Sequence, residues 1–256
     1  MIIDKLKFRS ASASDREVLS KLWQEAFSDG DEFFSLFFDN GFSPANSLCA
    51  TIDGEVIAAL YWFDFIYRGK PIAYIYGVAV FEKHRGEGVG TALLNEAEKI
   101  IKMRGYSGVL LLPAKPPLYS YYERFGYKIA TKISKFTVNA SGKSVPLEII
   151  LPDLYEEVGE QFQKDARVKA GNFAKKFLGA QYILARGEKF LLSGYKQGNK
   201  LIASEFLGDM TCAPDVLSAL GCEFGEFRTE GDGERFAMYH AFTDDLAPAY
   251  FATVFD

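Results

Sequence analysis

The order of hydrophobic and polar positions predicts two helices near the start of the chain. Apolar residues recur at helical intervals over Ser14–Phe27, and Ser14 stands three residues before Glu17, the spacing of a capping box. A second segment, Asp31–Asp39, is rich in phenylalanine and follows Gly30. The sequence therefore predicts two consecutive helices before the first long strand.

The pattern then changes to that of an antiparallel sheet. Apolar runs over Ser47–Ile52, Glu55–Tyr67 and Pro71–Val80 are separated by Asp53-Gly54 and by Arg68-Gly69-Lys70. Both separators are typical of tight turns between paired strands. The three runs predict an antiparallel meander.

A helical period returns over Thr91–Arg104, and Gly105 marks the predicted end of that helix. The continuous apolar run Gly108–Leu112 then predicts a buried strand. A strand, helix, strand connection of this length places its two strands side by side and parallel. The predicted fold class is therefore α/β, with a mixed sheet.

Beyond this crossover the pattern is weaker. It predicts a short helix over Leu118–Phe125 and a strand over Tyr127–Val138, and the polar stretch Ala140–Lys143 suggests a boundary. We expect a first domain over residues 1–140 and a second α/β domain over residues 141–256.

The second half repeats part of the order of elements in the first half. Its last two strands, Phe224–Thr229 and Arg235–Phe242, are expected to pair with each other. The repeated order suggests a second copy of the same fold. The other predicted elements are helices over Asp153–Asp165, Arg167–Phe177 and Pro214–Leu220, and a hairpin that turns at Gln197-Gly198-Asn199.

Composition and charge narrow the classes of partner. The chain is 48% hydrophobic and 25% charged, and its net charge is -5. The charges are scattered rather than gathered in a basic stripe, so we expect no nucleic-acid partner. No run approaches the ~20 apolar residues that span a bilayer, and Asp4 and Lys5 interrupt the apolar start, so we predict a cytoplasmic protein without a membrane partner.

The three cysteines, Cys49, Cys212 and Cys222, lack the paired short spacings of zinc sites and disulfide frameworks. We interpret them as buried free thiols. No metal site is predicted.

The candidate chemistry lies between the strand that ends at Val80 and the helix that follows. Here the chain reads Arg85-Gly86-Glu87-Gly88-Val89-Gly90-Thr91, with three glycines at a helix N-terminus. Unpaired amides and the helix dipole attract an anion there, and the absence of side chains lets a pyrophosphate approach. The glycines are also compatible with a tight turn alone. The loop has neither the Gly-Lys-Ser/Thr ending of a Walker loop nor the glycine spacing of the dinucleotide fingerprint.

Arg85, Gly88 and Gly90 match the Arg/Gln-x-x-Gly-x-Gly/Ala signature of the GNAT superfamily of acyl-CoA N-acyltransferases. The chain resembles this family over about Ser14–Tyr127. Tyr122-x-x-x-Gly126-Tyr127 is similar to the later Tyr-x-x-x-Gly-Phe/Tyr segment of the family.

The resemblance implies that acetyl-CoA is the co-substrate and that residues 85–91 bind its pyrophosphate. In the family the strand before this loop separates from its neighbour and pairs with the pantetheine arm. By position, this implicates Val78, Ala79 and Val80.

Transfer of an acetyl group to an amine requires a proton for the leaving thiolate and stabilisation of the oxyanion. A tyrosine with a pKa of ~10 is matched to a thiol leaving group, and Tyr122 is the candidate donor. The resemblance implies the same role, and packing among the neighbouring tyrosines is the alternative. A backbone N–H near Val80 is the candidate oxyanion donor.

The predicted activity is N-acetylation of an amine of a small molecule or peptide. The alternative function is a sensor or degenerate module that binds acyl-CoA without turnover. An acyl chain longer than acetyl is a further alternative.

No residue stands out as the general base. The candidates are Glu25, Asp64, Glu82, His84 and Asp256. We assign no role to His240, because a histidine in an alternating strand is more often structural. An acidic cluster could attract a cationic amine, although helix capping also explains it; its members are Asp29, Asp31, Glu32 and Asp39.

The two-domain outline and Tyr119–Tyr127 resemble the enhanced-intracellular-survival subfamily, which acetylates amines including aminoglycosides. That subfamily has a third, sterol-carrier-like domain, for which this chain is too short. The resemblance therefore implies neither the acceptor nor the oligomeric state. In the second half, Leu207–Thr211 lacks a glycine-rich helix start, so this half is expected to form one wall of the acceptor cleft instead of binding acyl-CoA.

Overall fold

The computed structural model covers nearly the whole chain. In the part of the chain that it describes, two β-sheets of eight and seven strands are covered by α-helices. Both sheets are mixed, which confirms the predicted α/β class. The described residues are 2–27, 30–243, 248, 250–252 and 255.

The elements are numbered in chain order. The helices are α1 (Arg16–Phe27), α2 (Asp31–Asn40), α3 (Val89–Met103), α4 (Pro117–Glu123), α5 (Pro152–Gln163), α6 (Asn172–Gln181) and α7 (Ala213–Leu220). The first strands are β1 (Lys7–Arg9), β2 (Ser47–Ile52), β3 (Glu55–Tyr67), β4 (Lys70–Val80), β5 (Gly108–Leu111), β6 (Lys128–Ile129), β7 (Lys132–Asn139) and β8 (Glu148–Ile149). The remaining strands are β9 (Lys169–Ala170), β10 (Ile183–Arg186), β11 (Phe190–Gln197), β12 (Lys200–Gly208), β13 (Phe224–Glu230), β14 (Glu234–Arg235) and β15 (Met238–Ala241).

The first sheet has the order β1-β2-β3-β4-β5-β15-β6, and β9 also pairs with β3. The predicted meander is confirmed, because β2, β3 and β4 pair antiparallel. Asp53 and Gly54 turn between β2 and β3 with φ of 50° and 90°, the left-handed values that tight hairpins require. Helix α3 then crosses over to β5, which lies parallel to β4 as predicted.

The second sheet has the order β14-β7-β13-β12-β11-β10-β8. Strands β10, β11 and β12 form an antiparallel meander, and α7 connects β12 to the parallel strand β13. Two helices, α5 and α6, precede this meander as α1 and α2 precede the first. The second half therefore repeats the order of elements of the first.

Two predicted strand assignments are wrong. The expected strand Tyr127–Val138 is divided between β6 in the first sheet and β7 in the second, and the amides of Ala130 and Thr131 at the break both donate to the carbonyl of Ala237, at 3.0 and 3.2 Å. Strand β15 pairs with β5 and β6, whereas the expected partner, β13, pairs with β7. Local periodicity predicts an extended segment but not the sheet that it joins.

The strand pairings also cross the predicted domain boundary at residue 140. Strand β7 precedes residue 140 and belongs to the second sheet, while β9 and β15 follow it and join the first. The two sheets therefore exchange strands, and a division of the chain at residue 140 stays a prediction.

The predicted start of the first helix is also different. The capping box is formed by Ser12 and Asp15, not by Ser14 and Glu17, and the Asp15 carboxylate accepts a hydrogen bond from the Ser12 amide at 2.8 Å. A salt bridge from Arg9 at 2.7 Å lowers the pKa of Asp15. Ser12 with Asp15 and Ser14 with Glu17 have the same spacing, so the sequence allows either pair to form the capping box. The salt bridge from Arg9 of β1 to Asp15 favours the first pair.

The hydrophobic core is arranged in layers because β3 and β4 are covered on both faces. In β3, Tyr61 and Phe63 point towards α1, α2 and α6, while Leu60 and Trp62 point towards α3. Helix α5 packs on β10, β11 and β12. A third cluster lies between the second sheet and α7. The layer of α1, α2, α5 and α6 thus lies between the two sheets.

Candidate functional site

Strands β4 and β5 pair over only three residues each. Their last pair is Ile75 with Leu111, after which β4 continues to Val80 without β5 beside it. At the same point β4 has a β-bulge, because Gly77 and Val78 both lie opposite Leu60 of β3. The bulge bends β4 away from β5, and the separation that the family resemblance implies is present in this sheet.

Gly77 is required at the bulge for two reasons. Its φ of 61° is in the left-handed region. A Cβ at this position would lie 2.6 Å from the ring of Trp23 on α1. The bulge therefore brings the α1 ring against the strand at the point where the sheet opens.

The glycine-rich loop leads from this strand into α3. Gly88 is the N-cap of the helix with φ of 83°, and Gly86 has φ of 80°, so both need a residue that adopts left-handed backbone. The amides of the first turn, from Val89 onwards, have no carbonyl partner within the helix. A Cβ at Gly86 would meet nothing within 4 Å, so the space above the loop is open.

Arg85 anchors the loop to the end of β4 and to α1. Its Nε donates to the carbonyl of Val80 at 2.9 Å, and its guanidinium donates to the carbonyl of Glu25 at 3.3 Å. The Glu25 carboxylate in turn accepts a hydrogen bond from the amide of Glu82. Arg85 therefore fixes the direction in which the chain enters the loop.

A cavity of about 760 Å³ extends from this loop to α4. It is lined by every residue of the predicted cofactor set except Glu87, whose carboxylate lies 3.3 Å from the ring of His84. The cavity thus brings together the separated strand, the start of α3 and the tyrosines of α4. The lining members of the predicted set are Val78, Ala79, Val80, Arg85, Gly86, Gly88, Val89, Gly90 and Thr91.

Tyr122 lies on α4 in the wall of this cavity and is 8% exposed. Its ring contacts those of Tyr121 and Tyr127, at centroid distances of 5.1 and 5.6 Å. The residues that the structure describes offer its hydroxyl no hydrogen-bond partner, whereas the Tyr121 hydroxyl lies 3.1 Å from Oγ1 of Thr91. Burial raises the pKa of Tyr122, so its hydroxyl keeps its proton at neutral pH.

A second cavity, of about 550 Å³, lies on the other side of β4. The two cavities share Phe27, Gly77, Leu112 and Ala114 and therefore meet where β4 and β5 separate. The second cavity was not predicted, because its lining residues are far apart in the sequence. Besides the shared residues it is lined by Trp23, Phe33, Leu36, Tyr74, Tyr76, Gln181, Tyr195 and Phe255.

Among the candidate bases, His84 lines the first cavity. Asp64 is turned away from both cavities and accepts hydrogen bonds from the Tyr106 hydroxyl at 2.5 Å and the Asn46 amide at 2.9 Å. Burial raises the pKa of Tyr106, and the hydrogen bond that Tyr106 donates to Asp64 raises it further. Asp256 lies outside the described residues.

Two members of the acidic cluster, Asp31 and Asp39, have structural partners. Asp31 opens α2 and accepts hydrogen bonds from Ser20 and Gln24 of α1. Asp39 forms a salt bridge with Arg16 at 2.6 Å. Glu32 is exposed, and Asp29 lies outside the described residues. His240, which received no role, lies 3.1 Å from a carboxylate oxygen of Glu98.

The corresponding junction in the second half is closed by a side chain. Asp209 follows β12, and its carboxylate accepts hydrogen bonds from the amide and the hydroxyl of Thr211, at 3.0 and 2.6 Å. The Asp209 carboxylate therefore caps the short 3-10 helix Met210–Cys212, which leads into α7. This agrees with the missing glycine-rich helix start in Leu207–Thr211.

The three cysteines are free thiols. Cys49 and Cys222 are buried and Cys212 is partly exposed, and burial raises the pKa of Cys49 to about 12. No three His, Cys, Asp or Glu side chains come together as a metal site in the described ranges. None of the helices in those ranges has the length and apolar character needed to cross a membrane.

Comparison with known proteins identifies one domain family in the first half of the chain. The model of the acetyltransferase (GNAT) domain family matches residues 7–130. A search of curated protein sequences finds no match. The sequence likeness is therefore to a domain family, and it covers slightly less than half of the chain, including six of the eight strands of the first sheet.

Solved structures resemble most of the chain, across both halves. A GCN5-related N-acetyltransferase from Kribbella flavida has a TM-score of 0.67 at 15% identity, over 92% of this chain and 71% of its own. One from Anabaena variabilis has a TM-score of 0.70 at 13% identity, over 92% and 72%. Eis1 from Mycobacterium abscessus has a TM-score of 0.62 at 13% identity, over 92% and 73%. At these identities the likeness concerns the fold, and it confirms the predicted fold over both halves.

Proposed function

Because residues 7–130 belong to the GNAT acetyltransferase family, we propose that this chain transfers an acetyl group from acetyl-CoA to the amine of a small molecule or peptide. One observation carries the proposal. A single cavity connects the uncovered amides at the start of α3, the unpaired part of β4 and the hydroxyl-bearing face of α4. The proposed anion site, strand edge and proton donor would thereby lie along one path.

The residues present fit the pyrophosphate of acetyl-CoA. The amides of Gly88, Val89 and Gly90 open the helix, and the open space at Gly86 leaves room for phosphate oxygens. Val78, Ala79 and Val80 offer the backbone edge along which the pantetheine arm would lie. Arg85 supports this arrangement by fixing the loop, and its positive charge lies at the same end of the cavity.

Tyr122 would supply the proton that the leaving sulfur needs. Burial raises the pKa of Tyr122, so the phenol keeps its proton at neutral pH and is a weaker acid than the match between a free phenol and a thiol implies. This direction argues against Tyr122 as a general base. A backbone N–H near Val80 would meet the developing oxyanion, since fixed main-chain donors need no reorganisation. In the transfer, the neutral amine nitrogen bonds to the acyl carbon, the carbon–sulfur bond breaks, and the thiol leaves with the proton of Tyr122. The nitrogen releases one proton to solvent, and Tyr122 regains a proton from solvent.

The proposal is tested by incubating the protein with acetyl-CoA and a panel of primary amines and measuring free thiol. We expect steady thiol release that depends on both substrates. Calorimetric binding of coenzyme A is measured in parallel. Tight binding without turnover across the panel would instead favour the alternative, a module that binds acyl-CoA without catalysis.

A further inference from the structure

The second cavity has a chemical character of its own. Aromatic rings form most of its wall, including Trp23, Phe27, Phe33 and Tyr76 from the first half. Several of these rings are part of one packed aromatic cluster, in which Trp23 lies 5.5 Å from Tyr76 and 6.2 Å from Phe33. The wall is therefore mainly apolar and rich in ring faces.

Both halves of the chain build this cavity. Helices α1 and α2 and strand β4 form one side, while Gln181 of α6 and Tyr195 of β11 close the other. No carboxylate is among its lining residues in the described ranges. The polar side-chain groups of its described lining residues are the indole N–H of Trp23, the amide of Gln181, and the hydroxyls of Tyr74, Tyr76 and Tyr195.

The position of the second cavity relative to the first indicates which substrate it would bind. The cavity meets the first one at Gly77, Leu112 and Ala114, on the face of the sheet opposite α3. A molecule in the second cavity can therefore present one atom to the end of the first cavity, where the acyl group would lie. Its volume of about 550 Å³ is in the usual range of small-molecule sites.

We propose that this aromatic cavity is the acceptor site, and that the acceptor is a primary amine carried on an aromatic or bulky apolar group. The inference rests on the proposed acetyl transfer and adds its substrate class. Burial of a phenyl-sized group against these rings supplies binding energy from apolar surface and from ring–ring contacts.

The same lining promotes the reaction. Transfer into apolar surroundings disfavours the charged form of an amine, so the cavity lowers the pKa of the bound ammonium group. The neutral nitrogen then attacks the acyl carbon, the carbon–sulfur bond breaks, and the sulfur takes the proton of Tyr122. The amine proton passes to solvent, from which Tyr122 is reprotonated.

The first test compares 2-phenylethylamine with ethanolamine, a primary amine of similar basicity without the ring, and with the polycation spermidine. With acetyl-CoA, kcat/KM for 2-phenylethylamine should be about ten- to a hundredfold higher than for the other two. Equal or better use of ethanolamine or spermidine would overturn the substrate class while leaving acetyl transfer intact. Faster transfer of a hexanoyl than an acetyl group to ethanolamine would also overturn it, since the cavity would then hold the acyl chain.

A second test does not depend on turnover. Trp23 and Trp62 are the two tryptophans of the chain, and Trp62 is buried on the other face of the sheet. In a Trp62→Phe variant, 2-phenylethylamine should change the emission of Trp23 with saturation, while ethanolamine should not. The matched Trp23→Phe variant should show no such signal. Circular dichroism is used to check that both variants fold. Absence of the signal in Trp62→Phe would overturn the site even if acetyl transfer occurs, and its presence without thiol release would separate this inference from a failure of the proposed activity.

A third test addresses the second half of the chain. Tyr195→Ala removes one ring from the wall, and KM for 2-phenylethylamine should rise about tenfold with KM for acetyl-CoA unchanged. The control is Phe173→Ala, which removes a 44% exposed ring on α6, outside the cavity, and should change neither value. Equal effects of the two substitutions would contradict a role of the second half in acceptor binding.

Discussion

Two strand-to-helix junctions in this molecule share a topology and differ in chemistry. The first leads from β4 into α3 and the second from β12 into α7, and each helix returns the chain to a parallel neighbour. Each parallel pair is short, and each first strand has a bulge where the pair ends. The bulge is at Gly77 and Val78 in β4 and at Ser204 in β12.

The difference lies in what fills the space behind each bulge. At the first junction Val78 and Val80 line an open cavity and the helix begins with uncovered amides. At the second, Ser204–Leu207 are buried by protein and the Asp209 carboxylate takes the Thr211 amide. After β5 the chain forms α4 with Tyr122, whereas after β13 a turn leads into β14.

If the first junction binds acyl-CoA as proposed, this topology alone does not make such a site, because the second junction shares the topology. A parallel crossover with a bulge creates a gap in the sheet, and the gap becomes a site only where glycines leave the helix start bare and no side chain fills the opening. The first half meets these conditions and the second does not, so the second half is available to close the aromatic cavity.

The largest expected effect comes from giving the first junction the chemistry of the second. Gly88→Asp places a carboxylate at the N-cap of α3, as Asp209 places one at the N-cap of the 3-10 helix Met210–Cys212 that leads into α7. Because like charges repel, calorimetric affinity for coenzyme A should fall by at least about a hundredfold.

Gly88→Asn is the matched control, since it has the same size and experiences the same left-handed φ of 83° without the charge. It should retain most of the affinity that the aspartate variant loses. Equal affinities of the two variants for coenzyme A would mean that backbone strain, not an anion site, governs binding.

A smaller effect is expected from Tyr122→Phe, which removes the hydroxyl that the second half lacks. The proposed loss of a general acid should lower kcat by about a hundredfold with KM for acetyl-CoA unchanged. Because burial raises the pKa of Tyr122, the wild-type rate should not fall between about pH 7 and pH 9 through its ionisation. The control is Tyr121→Phe, whose hydroxyl contacts Thr91, and a similar loss of kcat there would reassign the donor.

The sequence predicts the first junction well because its signals are local. Asp53-Gly54 defines a hairpin, and the change of period after Val80 defines a crossover. The glycines at positions 86 and 88 then have the left-handed φ values for which glycine is suited. Each of these features depends on residues within a few positions of one another.

The rest depends on contacts between distant residues. Strand β15 joins β5 through pairs such as His240 with Val109, and no local pattern contains that choice. The aromatic cavity likewise requires Trp23 and Tyr195 to meet across the two halves. Arg85 was predicted from its position in the signature, while its hydrogen bond to the Val80 carbonyl became visible only in three dimensions.

Gly77→Ala tests the bulge that the two junctions share. A Cβ would lie 2.6 Å from Trp23 and the φ of 61° is unfavourable for alanine, so the free energy of unfolding should fall by about 1–3 kcal/mol. The control in the second sheet is Ser204→Ala, where the backbone is not left-handed and the loss should be below about 1 kcal/mol. Chemical denaturation measures both, and equal losses would show that the glycine is not special to the first bulge.

The smallest effect is expected from Asp209→Asn, which removes the charge that closes the second junction. Coenzyme A should still not bind there, because Ser204–Leu207 fill the gap that a pantetheine arm would need.

The Asp209 carboxylate should also make the stability of the fold depend on pH. Hydrogen bonds from Thr211, chiefly from its side chain, lower the pKa of Asp209. The carboxylate therefore stabilises the fold at neutral pH, and this contribution is lost as the pH falls through that lowered pKa. The wild type should therefore have a slightly higher Tm than the variant at pH 7, and the difference should vanish below about pH 3. A second coenzyme A site in the variant would mean that the carboxylate alone keeps this junction closed, and a Tm difference independent of pH would exclude the charge as its cause.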